Sequence, residues 1–572
     1  MKYIKYSKKN ILLAVGCLFL TTACEKYLDF PYPGSTLAVD AFIVAEDAIY
    51  SVNSAYGPLQ WEFNGGYFFE WYFGDVCSDD ALKGGESLEA GPDLKGLENF
   101  QISADNSILD LFYRAQYVGA FRANFSLENV SKMDPTLFAA GLQNRCIGEA
   151  LFLRAMYHFR LLRIFGGIPI ADRCIYVQSE WQQPRASEAD VYSFIIKDLK
   201  QAIALLPTQN TYKAVDMGRA SKGAARALLM KVYMNTGQYD EAKLQGDSIM
   251  TDPTGYTLLA NYNQNFDVNY ENNKESLFEI QYVDAAGDYG SSNYSHQGAT
   301  RSGFTMIFTR PRWAQPPAGI TGISAGWGWN RPTQELYNEF EAGDMRRDAA
   351  IINPQGVDST KNGYCPFEYY DLAKTIIDTT SSNLNQYLGN RYHERKYAEM
   401  NADTTFAPMK DNNPHGTLNH KEIRFSDVLL MHAEACIKSS SPNLAQAKAD
   451  LERVRARARA WSGGGALLPP FPNYSVPLEC VGGTGIKQLQ DNAEDLMIAI
   501  QHERRVELAM EGHRWFDLKR WGILDVVMNN YKATTKPHIG SIMSPFVKGK
   551  NELFPIPQSE IDLNPMSQNP GY

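Results

Sequence analysis

Two stretches of the chain concentrate side chains that could hold a sugar. Gln60–Asp80 carries Trp61, Phe63, Asn64, Tyr67, Phe68, Phe69, Trp71, Tyr72 and Phe73, followed by Asp75, Asp79 and Asp80. Asp288–Asn330 carries Tyr289, Asn293, Tyr294, Arg310, Arg312, Trp313, Gln315, Trp327, Trp329 and Asn330. A sugar presents flat C–H faces edged with hydroxyls, so its capture needs exposed aromatic platforms with amides, carboxylates or arginines beside them. The competing account is core packing, because aromatic side chains bury large areas in any fold. Packing is the better account of Phe68, Phe69 and Phe73. Trp313, between Arg312 and Gln315 in a proline-rich stretch, is expected on an exposed loop. Of Trp327 and Trp329, in Gly-Trp-Gly-Trp ahead of Pro332-Thr333, one is expected to face ligand and the other to pack. The candidate ligand contacts are therefore Trp61, Tyr67, Trp71, Asp79, Arg312, Trp313, Trp327 and Trp329.

Catalytic signatures do not survive direct testing, and no enzyme activity is expected. His393-Glu394 and His502-Glu503 begin like a zinc-protease helix, but Tyr397 and Val506 stand where the second histidine is required. There is no G-x-S-x-G elbow, no phosphate loop and no G-x-G-x-x-G. A pair of glycosidase carboxylates has no spacing rule, so a surface glycoside hydrolase stays open as an alternative. Cys77, Cys146, Cys174, Cys365, Cys436 and Cys480 show no C-x-x-C pairing and read as buried apolar residues or occasional disulfides, with no metal site. Asp411, Asn413, Gly416 and Glu422 fall at calcium-loop positions one, three, six and twelve. Pro414 and His415 spoil the middle, which favours a plain polar turn. No cofactor is expected beyond that weak calcium candidate.

The elements that must position these residues are mostly helices. Ala41–Tyr56, Ser107–Val130 and Leu142–Phe165 are helical patterns, the last stopped by Phe165-Gly166-Gly167-Ile168-Pro169. In Gly218–Asp252, Ala220, Ala224, Leu228 and Val232 recur every four residues, Gly237-Gln238-Tyr239 turns the chain, and Ala242 opens a second helix. That spacing is tetratricopeptide-like. One such unit cannot bury its own face, so Leu142–Phe165 with Ala189–Leu206, and Ile423–Ile437 with Leu444–Ala460, are expected to stack with it. From Tyr256 to about Asn419 the chain turns rich in Gly, Asn, Ser, Pro and aromatics, with one short strand at Phe278–Tyr282. Helical patterns return at Ile423–Ala460 and Gln490–Met528.

The chain has 572 residues, 44% of them hydrophobic, enough for a large core. Its start reads as an export signal. Lys2, Lys5, Lys8 and Lys9 precede the apolar run Ile11–Leu20, which is too short to span a bilayer, and Thr21-Thr22-Ala23 supplies small residues before Cys24. Cleavage there leaves Cys24 to be acylated, anchoring the chain to a membrane through its lipid. The formal charge of −10 becomes −14 without Met1–Ala23, at 51 basic against 65 acidic residues. Nucleic acid is a poor partner for so acidic a chain.

Several blocks in order resemble the SusD/RagB family. They include Cys24-Glu25-Lys26-Tyr27-Leu28-Asp29, Gly148-Glu149-Ala150-Leu151-Phe152-Leu153-Arg154-Ala155 and Gly218-Arg219-Ala220. Further on come Arg424-Phe425-Ser426-Asp427 through Ala435, Glu503-Arg504-Arg505-Val506-Glu507, Arg514-Trp515-Phe516-Asp517-Leu518-Lys519-Arg520-Trp521-Gly522, Phe554-Pro555-Ile556-Pro557 and Gln568-Asn569-Pro570-Gly571-Tyr572. The resemblance implies a mostly α fold, a tetratricopeptide-like helical scaffold with a large loop-rich, ligand-binding region and a few short strands. It divides the chain into a signal peptide (1–23), a lipid-anchored tether (24–36) and a single domain (37–572). The scaffold of that domain spans about 37–255 and 423–530, and its ligand-facing loops about 256–422. It further implies an outer-membrane lipoprotein, facing the cell exterior, that binds oligosaccharides and passes them to a SusC-like TonB-dependent transporter. RagB-like members make peptides the alternative ligand. The charges of Glu503, Arg504, Arg505, Glu507, Arg514, Asp517 and Arg520 are expected to form ion pairs between packed helices.

Overall fold

The structure is a computed structural model that describes residues 41–62, 66–85, 91–283, 303–310, 326–352, 392–398, 416–464, 467–534 and 543–572. Cys24 and the expected signal and tether lie outside these residues, as do Arg312, Trp313, Asp411 and Asn413.

The long helices are α1 (Ala45–Tyr56), α2 (Ser107–Val130), α3 (Leu142–Phe165), α4 (Glu188–Leu205), α5 (Lys222–Asn235) and α6 (Tyr239–Met250). After the loop-rich region come α7 (Phe425–Lys438), α8 (Leu444–Trp461), α9 (Ala493–Glu507), α10 (Arg514–Trp521) and α11 (Leu524–Thr534). Their starts are set locally. The Asn106 side chain accepts from the backbone N–H groups of Ile108 and Leu109, and Ser187, Ser221, Asn443 and Asn492 cap α4, α5, α8 and α9 the same way. Gly166, at φ 72°, ends α3. α1 begins four residues later than the sequence pattern, where Asp47 accepts from the backbone of Ile43 and Val44. The expected Gln490–Met528 helix is three helices, broken by Met510 and Gly512 at φ 62° and 75° and by Gly522 at φ 73°.

The scaffold is a row of antiparallel pairs. α3 packs on α4, α5 on α6 and α7 on α8, while α4 against α5 and α6 against α7 join one pair to the next. Ala224, Leu228, Val232 and Ala242 are buried along this row, as the four-residue stripe requires.

The strands are short and paired in twos. β1 (Ala81–Gly84) pairs antiparallel with β3 (Trp329–Pro332), and β2 (Ser276–Ile280) with β6 (His420–Arg424). β4 (Ile351–Ile352) pairs with β5 (His393–Glu394), and β7 (Ser475–Pro477) with β8 (Ile486–Gln488). β2 begins two residues before the expected strand, and β6 takes Ile423 and Arg424, which the sequence pattern assigns to a helix.

Between the scaffold and the strands lies a buried charge network. Arg346 reaches Asp344, Glu503 and Glu507; Arg455 reaches Glu503; Arg424 reaches Glu275, Glu507 and Glu511. Arg504 bridges Asp427 and Asp517, and Arg520 pairs with Asp517 and Glu434. The C-terminal segment closes onto the N-terminal half: the Asn569 amide donates to the carbonyls of Phe165 (2.9 Å) and Phe554 (2.6 Å), and Arg185 donates to the carbonyl of Ser567 (2.8 Å).

Candidate functional site

Trp327 is the exposed member of an aromatic cluster built from three separate segments. The residue is 38% exposed, while Phe304, Phe308, Phe69, Trp71 and Tyr72 beneath it are buried. Phe308 is the hub. Its ring centroid lies 4.5 Å from both Tyr67 and Trp327, 4.7 Å from Phe69 and 5.1 Å from Trp329, all edge-on. Such geometry is the favoured one for aromatic pairs.

The backbone fixes the platform in place. Trp327 N–H donates to Ile307 O (2.8 Å), Gly328 N–H to Arg310 O (2.9 Å) and Gly85 N–H to Gly328 O (2.9 Å). The register of β1 on β3 sets Gly84 opposite Trp329. The short helix Thr305–Thr309 is pinned at its start by Glu62, whose carboxyl accepts from the backbone N–H of Phe304, from Thr305 N–H (3.3 Å), from Thr305 Oγ1 (2.8 Å) and from the Tyr282 hydroxyl (3.3 Å). Burial pushes the Glu62 carboxyl up to about 7 despite these donors. Asp75 accepts from Asn330 Nδ2 (3.2 Å) on β3 and from Gly512 N–H (2.9 Å), and burial raises it to about 8.

The structure corrects three of the sequence candidates. Trp61 and Trp71 are each only 6% exposed and offer no free face. Arg122 covers the Trp61 ring at 5.0 Å, and Trp71 Nε1 donates to Thr305 Oγ1 at 3.3 Å. Asp79 is buried between Arg505 (2.7 Å) and Arg514 (2.8 Å). Burial alone would raise its carboxyl, but the two guanidinium groups outweigh that and hold it below its usual range. It is part of the charge network, so it is not placed to take a sugar hydroxyl. Arg310 and Asn330 are buried as well.

Tyr67 and Trp329 are partly buried. Tyr67 stands edge-on to Trp327 at 5.7 Å, next to the platform. Trp329 packs behind it, with Lys83 Nζ 5.0 Å from its ring. Of the Trp327 and Trp329 pair, one is exposed and one packs. Phe304 and Phe308 went unselected in the sequence, although their spacing of four residues places both on one helical face.

Two cavities lie near. One of about 40 Å³ is lined by Trp61, Glu62, Trp71, Arg160, Tyr282 and His420. It has room for a few waters and none for a sugar ring. A more open cleft of about 210 Å³ is lined by Asn53, Gln60, Met217, Arg219 and Gln281. The calcium-loop pattern gains nothing from its described members: Glu422 is held by Arg160 at 2.6 Å, and Gly416 pairs with Gly303. Among the described residues, the side chains that cluster at metal-ligand spacing lie in the scaffold, around His432. No described helix is long and apolar enough to cross a membrane.

Comparison with known proteins agrees with this architecture. A family model described as "SusD family" matches residues 274–572, and one described as "Starch-binding associating with outer membrane" matches 92–234. SusD-like protein P2 of Formosa agariphila is 27% identical over 498 residues, covering 84% of this chain and 83% of its own length. The starch-binding protein SusD of Bacteroides thetaiotaomicron is 24% identical over 477 residues, covering 78% and 76%. Among solved structures, a laminarin-binding SusD-like protein superposes with a TM-score of 0.72 at 27% identity, covering 93% of this chain and all (100%) of its own. Surface glycan-binding protein A from Bacteroides thetaiotaomicron, in complex with laminarihexaose, has a TM-score of 0.71 at 21% identity, a likeness of fold, over 92% and 100%.

Proposed function

The chain belongs to the SusD family, and from that footing we propose that it captures oligosaccharides at the cell surface and delivers them to a SusC-like TonB-dependent transporter. The observation that carries the ligand class is Trp327, an indole held out to solvent by a rigid aromatic base. A flat apolar face fixed in this way stacks on a sugar ring with little ordering left to lose on binding. The laminarin-binding relative, similar over nearly the whole chain, supports a glycan over a peptide and makes β-glucan oligosaccharides the first ligands to try. In this reading Arg312 and Trp313 also contact the glycan, Tyr67 buttresses Trp327, and no bond in the sugar is broken. Lipid on Cys24 anchors the protein to the outer membrane, facing the exterior.

The test is a glycan array followed by calorimetric titration of laminarin oligosaccharides. Trp327→Ala should lower affinity at least tenfold, ~1.4 kcal/mol, with melting temperature nearly unchanged. Trp313→Ala should behave the same way. Binding of peptides with no glycan retained would favour the peptide-capturing alternative. New reducing ends on the bound glycan, lost on one carboxylate substitution, would favour a hydrolase. Cys24→Ala should release the protein from the membrane fraction, and a tagged chain should bring down the transporter.

A further inference from the structure

A second set of ligand-type side chains lies in the helix pairs, away from the aromatic platform. His432 and Cys436 stand one turn apart on α7, so both leave the same side of that helix. Asp450 meets them from α8. His432 Nδ1 lies 2.6 Å from Asp450 Oδ2, and Cys436 Sγ lies 3.8 Å from each ring nitrogen. The donor atoms of these three residues all fall within 4.8 Å of one another, and all three residues are buried.

The surroundings are arranged too. The other ring nitrogen, Nε2, is 3.2 Å from Asp247 Oδ1 on α6, and Gln446 Nε2 donates to Asp450 Oδ1 at 3.0 Å. Gly246 leaves space for the ring, since a Cβ there would sit 2.4 Å from His432 Cδ2. Asp247 is 47% exposed and pairs with Lys243 at 2.8 Å, which opens this edge of the cluster to solvent.

We propose that His432 Nδ1, Cys436 Sγ and Asp450 Oδ2 form a site for a divalent, borderline-soft metal ion, zinc above all, that clamps α7 to α8. An imidazole nitrogen, a thiolate and a carboxylate are the donors zinc takes, with water in the fourth position. A tetrahedral zinc site has an N–O edge of about 3.3 Å and a Zn–S bond of about 2.3 Å, so Asp450 must retreat by roughly 0.7 Å, and Cys436, whose Sγ is equidistant from both ring nitrogens and so lies off the Nδ1 lone-pair line, must swing toward that line by roughly 2 Å. The outer contacts match what such a site needs. Asp247 holds the ring through the nitrogen that the metal leaves free, and Gln446 orients the carboxylate. Zinc takes these donors in their deprotonated forms, so its uptake releases protons. The pattern H-x-x-x-C on a helix is the sequence trace of this site, which a search for C-x-x-C passes over.

The probe is Zn²⁺ or Co²⁺ alone, added to the chelator-stripped chain. We expect one ion per chain, release of protons on uptake, a rise in melting temperature and a thiolate-to-cobalt charge-transfer band. Cys436→Ala should remove the cobalt band and weaken zinc binding at least tenfold. Cys146→Ala, which alters another buried thiol, should leave both unchanged. If Cys436→Ala does not fold, Asp450→Asn carries the same expectation for affinity. A folded chain that takes up no ion at one equivalent overturns the proposal, as does a cobalt band that survives Cys436→Ala. The cluster is then an imidazolium held between two carboxylates, and the glycan reading is untouched either way.

Discussion

The scaffold junction and the aromatic face bury their carboxylates by opposite means. At the junction each acid meets arginine: Glu507 contacts Arg346, Arg424 and Arg457, and Glu511 contacts Arg424 and Lys396. Burial alone would raise these acids, but the cations overcome it, holding Glu511 at about 2 and Glu507 lower still. At the face, Glu62 and Asp75 have hydrogen-bond donors but no ion pair among the described residues, and burial lifts them to about 7 and about 8. The difference teaches where each part is vulnerable. The junction depends on ionised acids and the face on protonated ones.

The sharpest way to break the comparison is to remove a junction cation. Arg424→Ala leaves Glu275, Glu507 and Glu511 without a shared partner and should cost about 3–5 kcal/mol in denaturant melts. A loss below 1 kcal/mol would mean that the network is a solvated surface feature. Next in size, Trp71→Ala should cost ~3–5 kcal/mol of stability through the cavity it leaves. Trp327→Ala, on the same face, should cost almost none while glycan affinity falls. Equal melting losses for the two variants would erase the distinction between platform and base.

The smallest effect is the dependence on pH, and its sign differs between the regions. Glu511 is held low in the fold, so its stabilisation is present above its ordinary value of 4.5 and is lost as pH falls toward 2. Glu62 is held high, so its contribution is full below 4.5 and is lost as pH rises through about 7. Amide exchange, corrected for intrinsic rate, should therefore quicken at Phe304 and Thr305 between pH 5 and 8, roughly the range of this titration. Glu62→Gln should flatten that rise, and α9 amides should not follow it. A parallel rise at α9 would show that the face does not open by itself.

Much of the scaffold was legible because its signals are local. The sequence pattern placed α2 and α3 at their observed bounds, since Asn106 and Gly166 mark the ends within a residue of the helices themselves. Within the dense charge motif, Arg504 and Arg520 pair with Asp517 and with Asp427 and Glu434 on a neighbouring helix as expected, whereas Arg505 and Arg514 reach out to Asp79. The site was harder to read, because its partners lie far apart in the chain. Asp79 is claimed by Arg514, 435 residues away, and Trp71 by Thr305, 234 away. An aromatic-rich segment has the same composition whether it roofs a core or displays a platform. Only the approach of Phe304 and Phe308 decides that Trp71 is base and Trp327 is surface.

The clasp of Asn569 on Phe165 also sets a schedule for the growing chain. The two residues are 404 positions apart, so a ribosome adding ~5–20 residues per second makes the acceptor roughly 20–80 s before the donor exists. Arg185, only 20 residues beyond Phe165, donates to the same carbonyl at 3.2 Å, so Asn569 adds a second donor to a helix end that already has one. The final fastening is thus reserved for a finished polypeptide.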